Sequence, residues 1–359
     1  MPRILIVGGV AGGASAAARL RRLDETAEII IFERGEHVSY ANCGLPYYVG
    51  GVITDRARLF MQTPETLHKL LNLDVRVMHE VLEIDRQACA IKVKNLLTDE
   101  VATESYDTLI LSPGATSVIP PIGGLESVPH FAMRNVRDTD TLVDYIAAYT
   151  PKDAVVIGGG FIGIELAENL AHRGMKVSLV EARPQVLPVL DPEMAALVHE
   201  HLRRNGITLH LGKKALTTQV KDGKYTLTLD EGTEIVYDLL SLAAGVRPNS
   251  KLAKEAGLTL LPSGAIAVNE LLQTSDPKIF AIGDVIEVIE RVSKSSCHLP
   301  LAGPANKQGR KVADIIAGDS HTYKGAIGTS ILKVFDLTVA STGLSETELK
   351  KKGRAVDSV

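Results

Sequence analysis

Cysteine is scarce in this chain. Three occur in 359 residues, Cys43, Cys89 and Cys297, an odd number with no CxxC spacing. That count excludes the disulfide framework of a small secreted domain and a zinc site built on cysteine pairs. No apolar run approaches the roughly 20 residues needed to cross a bilayer. The opening MPRILIVGG enters a strand without a charged leader or cleavage site. A block of one charge is missing as well: 39 basic and 43 acidic residues leave a formal −4 and collect nowhere into a long run. Nucleic acid and anionic membranes are therefore not expected as partners, no metal site is expected, and the cysteine usage points to the cytoplasm.

Hydrophobic residues make up 45% of the chain, ample for more than one core, and the length suggests two or three domains. One pattern is written twice. Residues 3–33 give the apolar run RILIV, the turn GGVAGG, the alanine-rich stretch ASAAARLRRL and a second apolar run, EIIIFE, that closes on Glu33. Residues 153–181 repeat it as DAVVIGGGFIGIELAENLAHRGMKVSLVE, closing on Glu181, with Gly174 where a helix would stop. Each is a βαβ unit, so the class is α/β with two nucleotide sites.

Glycines at such a strand-to-helix turn let the backbone bend tightly and come close to a pyrophosphate, whose charge then meets the free amides of the helix N-terminus. Gly158, Gly160 and Gly163 fill all three places of the second fingerprint, whereas the first has Gly8, Val10 and Gly13. Glu33 and Glu181 end the second strand of each unit, where a carboxylate accepts from ribose hydroxyls. Glu181 is expected to favour NADH over a 2′-phosphate, and Arg183 to offset that in part, so that NADPH is used measurably.

The stretch SYANCGLPYY, 39–48, holds Cys43 between small polar residues and a Gly-Leu-Pro turn. By itself it is ambiguous, since a lone cysteine packs as a small hydrophobe as readily as it reacts. Cys89 and Cys297 read as packing residues. Arg19 and Arg22, three apart on the first helix, share a face that suits phosphates.

Further along lie three strand–glycine endings, LILSPGA at 109–115, LSLAAGVRPN at 240–249 and QTSDPKIFAIGD at 273–284. Together with GGVAGGASAA, GGGFIGIE, SYANCGLPYY, LAGPANKQGR and KVFDLTVASTGL, these segments resemble the FAD-dependent pyridine nucleotide-disulfide reductases. The resemblance implies two Rossmann-like domains of the glutathione-reductase type followed by the start of an α+β interface domain. It places a discontinuous FAD domain at 1–111 and 244–322, an NAD(P)H domain at 112–243, and the start of the dimerisation domain at 323–359. FAD would be held by Gly8, Gly9, Ala11, Gly12, Gly13, Glu33, Arg34, Gly114, Gly283 and Asp284. The nicotinamide cofactor would be held by Gly158, Gly160, Gly163, Glu165, Glu181 and Gly245.

A single cysteine in this context looks like the branch of coenzyme A-disulfide reductases, some fused to a rhodanese domain, and of NADH oxidases and peroxidases. It implies hydride passing from NADH or NADPH through FAD to Cys43, which reduces coenzyme A disulfide, a persulfide or a polysulfide. Ser15, Arg19, Arg22, Ser39 and Asn42 would contact coenzyme A. The alternatives are an oxidase or peroxidase working through a Cys43 sulfenic acid, or an idle flavoprotein fragment. Many oxidases and peroxidases carry a histidine in the first glycine loop where this chain has Ala11, which favours a thiol-based acceptor. A helix beginning at Cys43, with Pro46 in its first turn, would lower the thiol pKa. The resemblance also implies a homodimer. Residues 323–359 read as a strand pair and a helix from Ser345, too short for the family's interface domain, with LKVFDLTVA left as an uncovered apolar face and the chain a poor catalyst alone.

Overall fold

A computed structural model describes residues 1–357. The chain divides into two compact units. The first comprises residues 1–41, 60–116 and 247–326, and the second residues 42–59, 117–246 and 327–359. The crossings at 116–117 and 246–247 lie a few residues beyond the expected boundaries of 112 and 244. The segment 42–59 carrying Cys43, expected with the flavin domain, groups with the second unit.

In the first unit the apolar run RILIV becomes the strand Arg3–Val7, four of its five residues buried. It is flanked in parallel by Glu28–Glu33 and Thr108–Leu111, with Ile279–Ala281 and Asp74–Val77 outermost in a five-stranded sheet. Burial on both faces explains why these strands read as unbroken apolar runs. The helix Ala11–Leu23 turns Gly12, Gly13, Ala16, Ala17 and Leu20 inward, a stripe at helical spacing whose small residues admit a close neighbour. That neighbour is the helix Ala302–Ile316, which crosses so closely at Gly309 that a Cβ there would overlap the carbonyl oxygen of Gly12. A three-stranded antiparallel meander, His79–Asp85, Ala90–Asn95 and Val101–Ser105, completes the unit.

The second unit has the same plan. Asp153–Ile157 lies between Lys176–Glu181 and Leu239–Leu242, with Thr208–Leu211 and Phe131–Ala132 at the edges of a second parallel five-stranded sheet. The helix Phe161–His172 ends one residue before Arg173, and Gly174 takes φ +85° directly after, the stop expected of it. A second meander, Ala215–Lys221, Lys224–Leu229 and Glu234–Tyr237, matches the first.

The expected strand pair and final helix are present as Thr329–Val334, Leu337–Thr342 and Glu346–Lys351, with Ser345 as N-cap accepting from the Glu348 amide. Residues 358 and 359 of that expected region lie outside the described residues. The apolar face expected to be uncovered is half covered: Leu332 and Val334 are buried, while Ile331 on the opposite side is 75% exposed. Phe335 at the hairpin tip packs edge-on against His172, and Asp336 pairs with His201 at 2.8 Å. Among the described residues no helix is long and apolar enough to cross a membrane, and no cluster of metal-ligating side chains occurs.

Candidate active site

The two glycine turns share their anchoring hydrogen bond and their tight contacts. The amide of Gly8 donates to Phe32 O and that of Gly158 to Val180 O, each at 2.8 Å. Both glycines have positive φ, +97° and +113°, and a Cβ on either would overlap a carbonyl oxygen, of Ser112 or of Ala243. Only glycine fits there. A Cβ on Gly13 or Gly163 would likewise overlap the oxygen of Gly8 or Gly158, which fixes how tightly each helix sits on its strand. Gly160 differs: nothing lies within 4 Å of its Cβ position. Neither the helix beginning at Ala11 nor that beginning at Phe161 has a side-chain cap, so their first-turn amides face a space without a protein acceptor from the cap residue. An open approach over a bare helix N-terminus is the shape a dinucleotide pyrophosphate fills. The residues present therefore fit a nucleotide in each unit.

The acids lie beside these turns. Glu33 accepts from the amides of Gly9 at 2.9 Å and Gly35 at 2.8 Å, one on each oxygen. Glu181 accepts in the same way from Gly159 at 2.6 Å and Arg183 at 2.8 Å. Each carboxylate oxygen keeps a second lone pair for a ribose hydroxyl. Of the other residues assigned to a cofactor, Arg34 pairs with Glu80 at 3.5 Å and Ala11 opens the first helix. Gly12 packs toward Ser112. Gly114 O accepts from Asn249 N at 3.0 Å, and Gly245 O from Val118 N at 2.8 Å. The Gly283 amide donates to Gln308 Oε1 at 2.7 Å, and Asp284 O lies 2.7 Å from His298 Nε2. Gln308, which accepts from the Gly283 amide just past the strand Ile279–Ala281, was not named from the sequence, although it sits in the LAGPANKQGR stretch that carried the resemblance.

Of the residues assigned to coenzyme A in the first unit, Ser15 and Arg19 already have side-chain partners. Ser15 Oγ is 3.0 Å from Asn306 Oδ1, and Arg19 Nε donates to Asp314 at 2.7 Å. Arg22 is exposed, and the intervening Arg21 is buried, donating to the carbonyls of Leu71, Asn72 and Glu25. Ser39 takes φ +47°, its amide donating to Gly9 O at 3.0 Å.

In the second unit Cys43 is exposed at the centre of a short 3₁₀ turn, Asn42–Gly44, and the helix Leu45–Val49 follows it with Pro46 in its first turn. The thiol therefore precedes the helix instead of opening it, and five residues carry little dipole. This corrects the expected acidic thiol. The protein mass behind Cys43 pushes its pKa up, and the carboxylate of Glu165 pushes in the same direction.

Glu165 is the centre of an unexpected polar cluster. Burial raises its pKa to about 7, partly offset by the Tyr47 hydroxyl at 3.3 Å and reinforced by Glu168. Tyr47, desolvated beside the same carboxylate, is pushed up to about 12. Glu168 and Asn169 are fully buried on the same helix, and Glu168 Oε2, Asn169 Oδ1 and Asn42 Oδ1 have no hydrogen-bond donor. Gly50 comes so near Asn169 that a Cβ would overlap its amide oxygen, and Arg173 donates to Val49 O, so the Cys43 segment is clamped to the helix Phe161–His172. No periodicity signals this cluster, because its members are polar residues on an inward helical face.

Comparison with known proteins agrees with this geometry. Residues 2–298 match the pyridine nucleotide-disulphide oxidoreductase family. The coenzyme A disulfide reductase of Staphylococcus epidermidis is 36% identical over 351 residues, 98% of this chain and 78% of that protein. Among solved structures, reduced Bacillus anthracis CoADR-RHD superposes with a TM-score of 0.96 at 52% identity, covering 99% of this chain, and an NAD-dependent persulfide reductase from A. fulgidus with 0.93 at 36%, covering 98%. The chain spans 64% and 65% of those two chains' lengths. With both nucleotide turns, their acids and the cysteine motif in place, the chain belongs to the pyridine nucleotide-disulphide oxidoreductase family.

Proposed function

We propose that this protein reduces a small-molecule disulfide or persulfide of coenzyme A, with NADH or NADPH as electron source, FAD held by the first glycine turn and Cys43 as the reacting thiol. The observation that carries the reading is the state of the cysteines. Cys43 is exposed, Cys89 and Cys297 are half-buried, and all three are free. A solitary accessible thiol exchanges with a disulfide only if the substrate brings the second sulfur.

FAD, when bound, supplies the two-electron passage from nicotinamide to sulfur. The thiolate of Cys43 displaces one half of the substrate disulfide as a thiol and keeps the other as a mixed disulfide, which two electrons and a proton then cleave. The balance is NADH + H⁺ + CoA–S–S–CoA giving NAD⁺ and two CoA–SH; for CoA–S–SH the products are CoA–SH and H₂S. Burial and the Glu165 carboxylate both disfavour the thiolate of Cys43. Ser15, Arg19 and Arg22 with Ser39 and Asn42 are the coenzyme A contacts of this reading, and Arg19 must then share its guanidinium with Asp314. A homodimer and a cytoplasmic location accompany the reading.

The test is Cys43→Ser. Turnover of coenzyme A disulfide should fall by at least about a thousandfold, with flavin content and NADH-dependent flavin bleaching retained. Full disulfide turnover by the variant overturns the role of Cys43. If the wild-type chain turns over oxygen or peroxide and leaves the disulfide untouched, the oxidase reading replaces this one.

A further inference from the structure

The second nucleotide turn carries a feature that the fingerprint does not describe. The strand Lys176–Glu181 pairs with Thr208–Leu211 so that Glu181 faces Leu211 in register. Beyond that pair the two chains remain joined: the Gly212 amide donates to Arg183 O at 2.8 Å and the Lys213 amide to Glu181 O at 3.1 Å. Lys213 is thus fixed by its backbone next to the acid that receives the ribose in the reading above. Arg183 is fixed on the other side, its own amide donating to the Glu181 carboxylate at 2.8 Å and its side chain exposed. Two residues that carry cations are thus held by their amides on Glu181, Arg183 on its carboxylate and Lys213 on its carbonyl, at the carboxyl ends of parallel strands, where nucleotides bind in open α/β sheets.

The ammonium of Lys213 is occupied. It forms an ion pair with Glu231, in the turn between the second and third strands of the meander, and this lysine is the first cause that draws the Glu231 carboxylate below its ordinary range. About a third of the Lys213 side chain is exposed, and 40% of Glu231 is. A pair this open exchanges partners readily, because its attraction is screened and its side chains are long. His210, on the same edge strand, is pushed down by burial, with the Glu231 carboxylate acting the other way.

We propose that Lys213 is the second cation of a 2′-phosphate subsite: paired with Glu231 when NADH is bound, and turned with Arg183 to the 2′-phosphate when NADPH is bound, so that the second unit takes both dinucleotides. The inference rests on the second unit being the nicotinamide nucleotide site. Glu181 alone would repel a 2′-phosphate; two cations at its flanks offset that repulsion, and Glu231 sets how much of the second is available.

Binding of 5′-AMP and of 2′,5′-ADP to the full chain, followed by calorimetry, separates the two layers of the argument. 5′-AMP reads the glycine turn and Glu181; 2′,5′-ADP adds only the phosphate in question. Lys213→Met should lose about tenfold in affinity for 2′,5′-ADP and keep 5′-AMP within about twofold, as expected for one charge-assisted contact. Lys213→Arg should restore most of the loss. Glu231→Gln should gain several-fold for 2′,5′-ADP, and more at low salt. Thermal melts of the three variants identify any change that is only structural. If the ratio of the two affinities is the same in wild type, Lys213→Met and Glu231→Gln, the subsite does not exist. If wild type binds neither probe, the assignment of the second unit as the nucleotide site fails first.

Discussion

Among single residues, the last two glycines of the second fingerprint separate folding from binding. A Cβ at Gly163 has nowhere to go, because the Gly158 carbonyl it meets is backbone and cannot turn aside. Gly163→Ala should therefore cost about 2–3 kcal/mol or leave the chain unfolded. At Gly160 a Cβ meets nothing within 4 Å. Gly160→Ala should shift stability by no more than about 1 kcal/mol and lower the affinity for NADH and 5′-AMP at least tenfold, since the methyl group stands where the pyrophosphate approaches. Melting and titration of the two variants give both readouts. Glu165 carries the pH dependence. Its folded pKa of about 7 exceeds the ordinary 4.5 chiefly through burial. Below the lower value both states are protonated and no penalty exists. Between the two the unfolded chain ionises while the folded one resists, so stability falls as pH rises and levels off above 7, by at most about 3 kcal/mol. In the apoprotein Glu165→Gln should melt above wild type at pH 8 and level with it at pH 4; equal melting at both pH values would mean that the carboxyl is not desolvated. The pH effect was not legible from the sequence, since Glu165 and Tyr47 are remote in sequence and their burial is a tertiary fact.

Among elements, Asp191 shows where reading by local pattern misleads. It precedes Pro192 and is the N-cap of the helix Pro192–Arg204, yet its side chain caps nothing there. Its two oxygens accept instead from the amides of Glu346 at 2.9 Å and Thr347 at 2.8 Å, and from the Thr347 hydroxyl at 2.7 Å, at the start of the final helix. Burial acts to raise the Asp191 pKa, but these hydrogen bonds outweigh it and hold the carboxyl below its ordinary range. The anchor is therefore present above the unfolded-state pKa and is lost as pH falls through the folded one. Asp191→Ala should expose the amides of Glu346 and Thr347 to rapid hydrogen exchange at neutral pH and cost about 1–2 kcal/mol, with the glycine turn unaffected. The βαβ units themselves were readable to within a few residues, because unbroken apolar strands and a small-residue helical stripe are periodic signals. The meanders were not singled out, since strands such as Ala90–Asn95, although they alternate apolar residues with lysines, are too short for the period to stand out. The contacts of Ser15 with Asn306 and of Arg19 with Asp314 join positions 291 and 295 residues apart, beyond any local pattern.

At the scale of the whole molecule, the topology decides what can be removed. Every strand of the second parallel sheet and its meander falls between residues 117 and 246. A chain of those residues alone should fold and bind 5′-AMP, judged by circular dichroism and dispersed amide resonances. A chain of residues 1–116 should not fold: it lacks the edge strand Ile279–Ala281 and the helix Ala302–Ile316 that closes over Gly12. The correspondence of the two units also extends past the glycines to a station no alignment of letters would match. Ser39 at φ +47° and Leu187 at φ +46° each donate their amide to the carbonyl of the glycine that follows the fingerprint's first, Gly9 or Gly159, at 3.0 and 2.9 Å. Both are left-handed without being glycine, so the turn is imposed by that hydrogen bond and not by residue type. The main chain at this station is the same in both units, and the difference is confined to the side chain: one carries a hydroxyl at a half-open position, while the other seals its loop with a leucine that is 1% exposed.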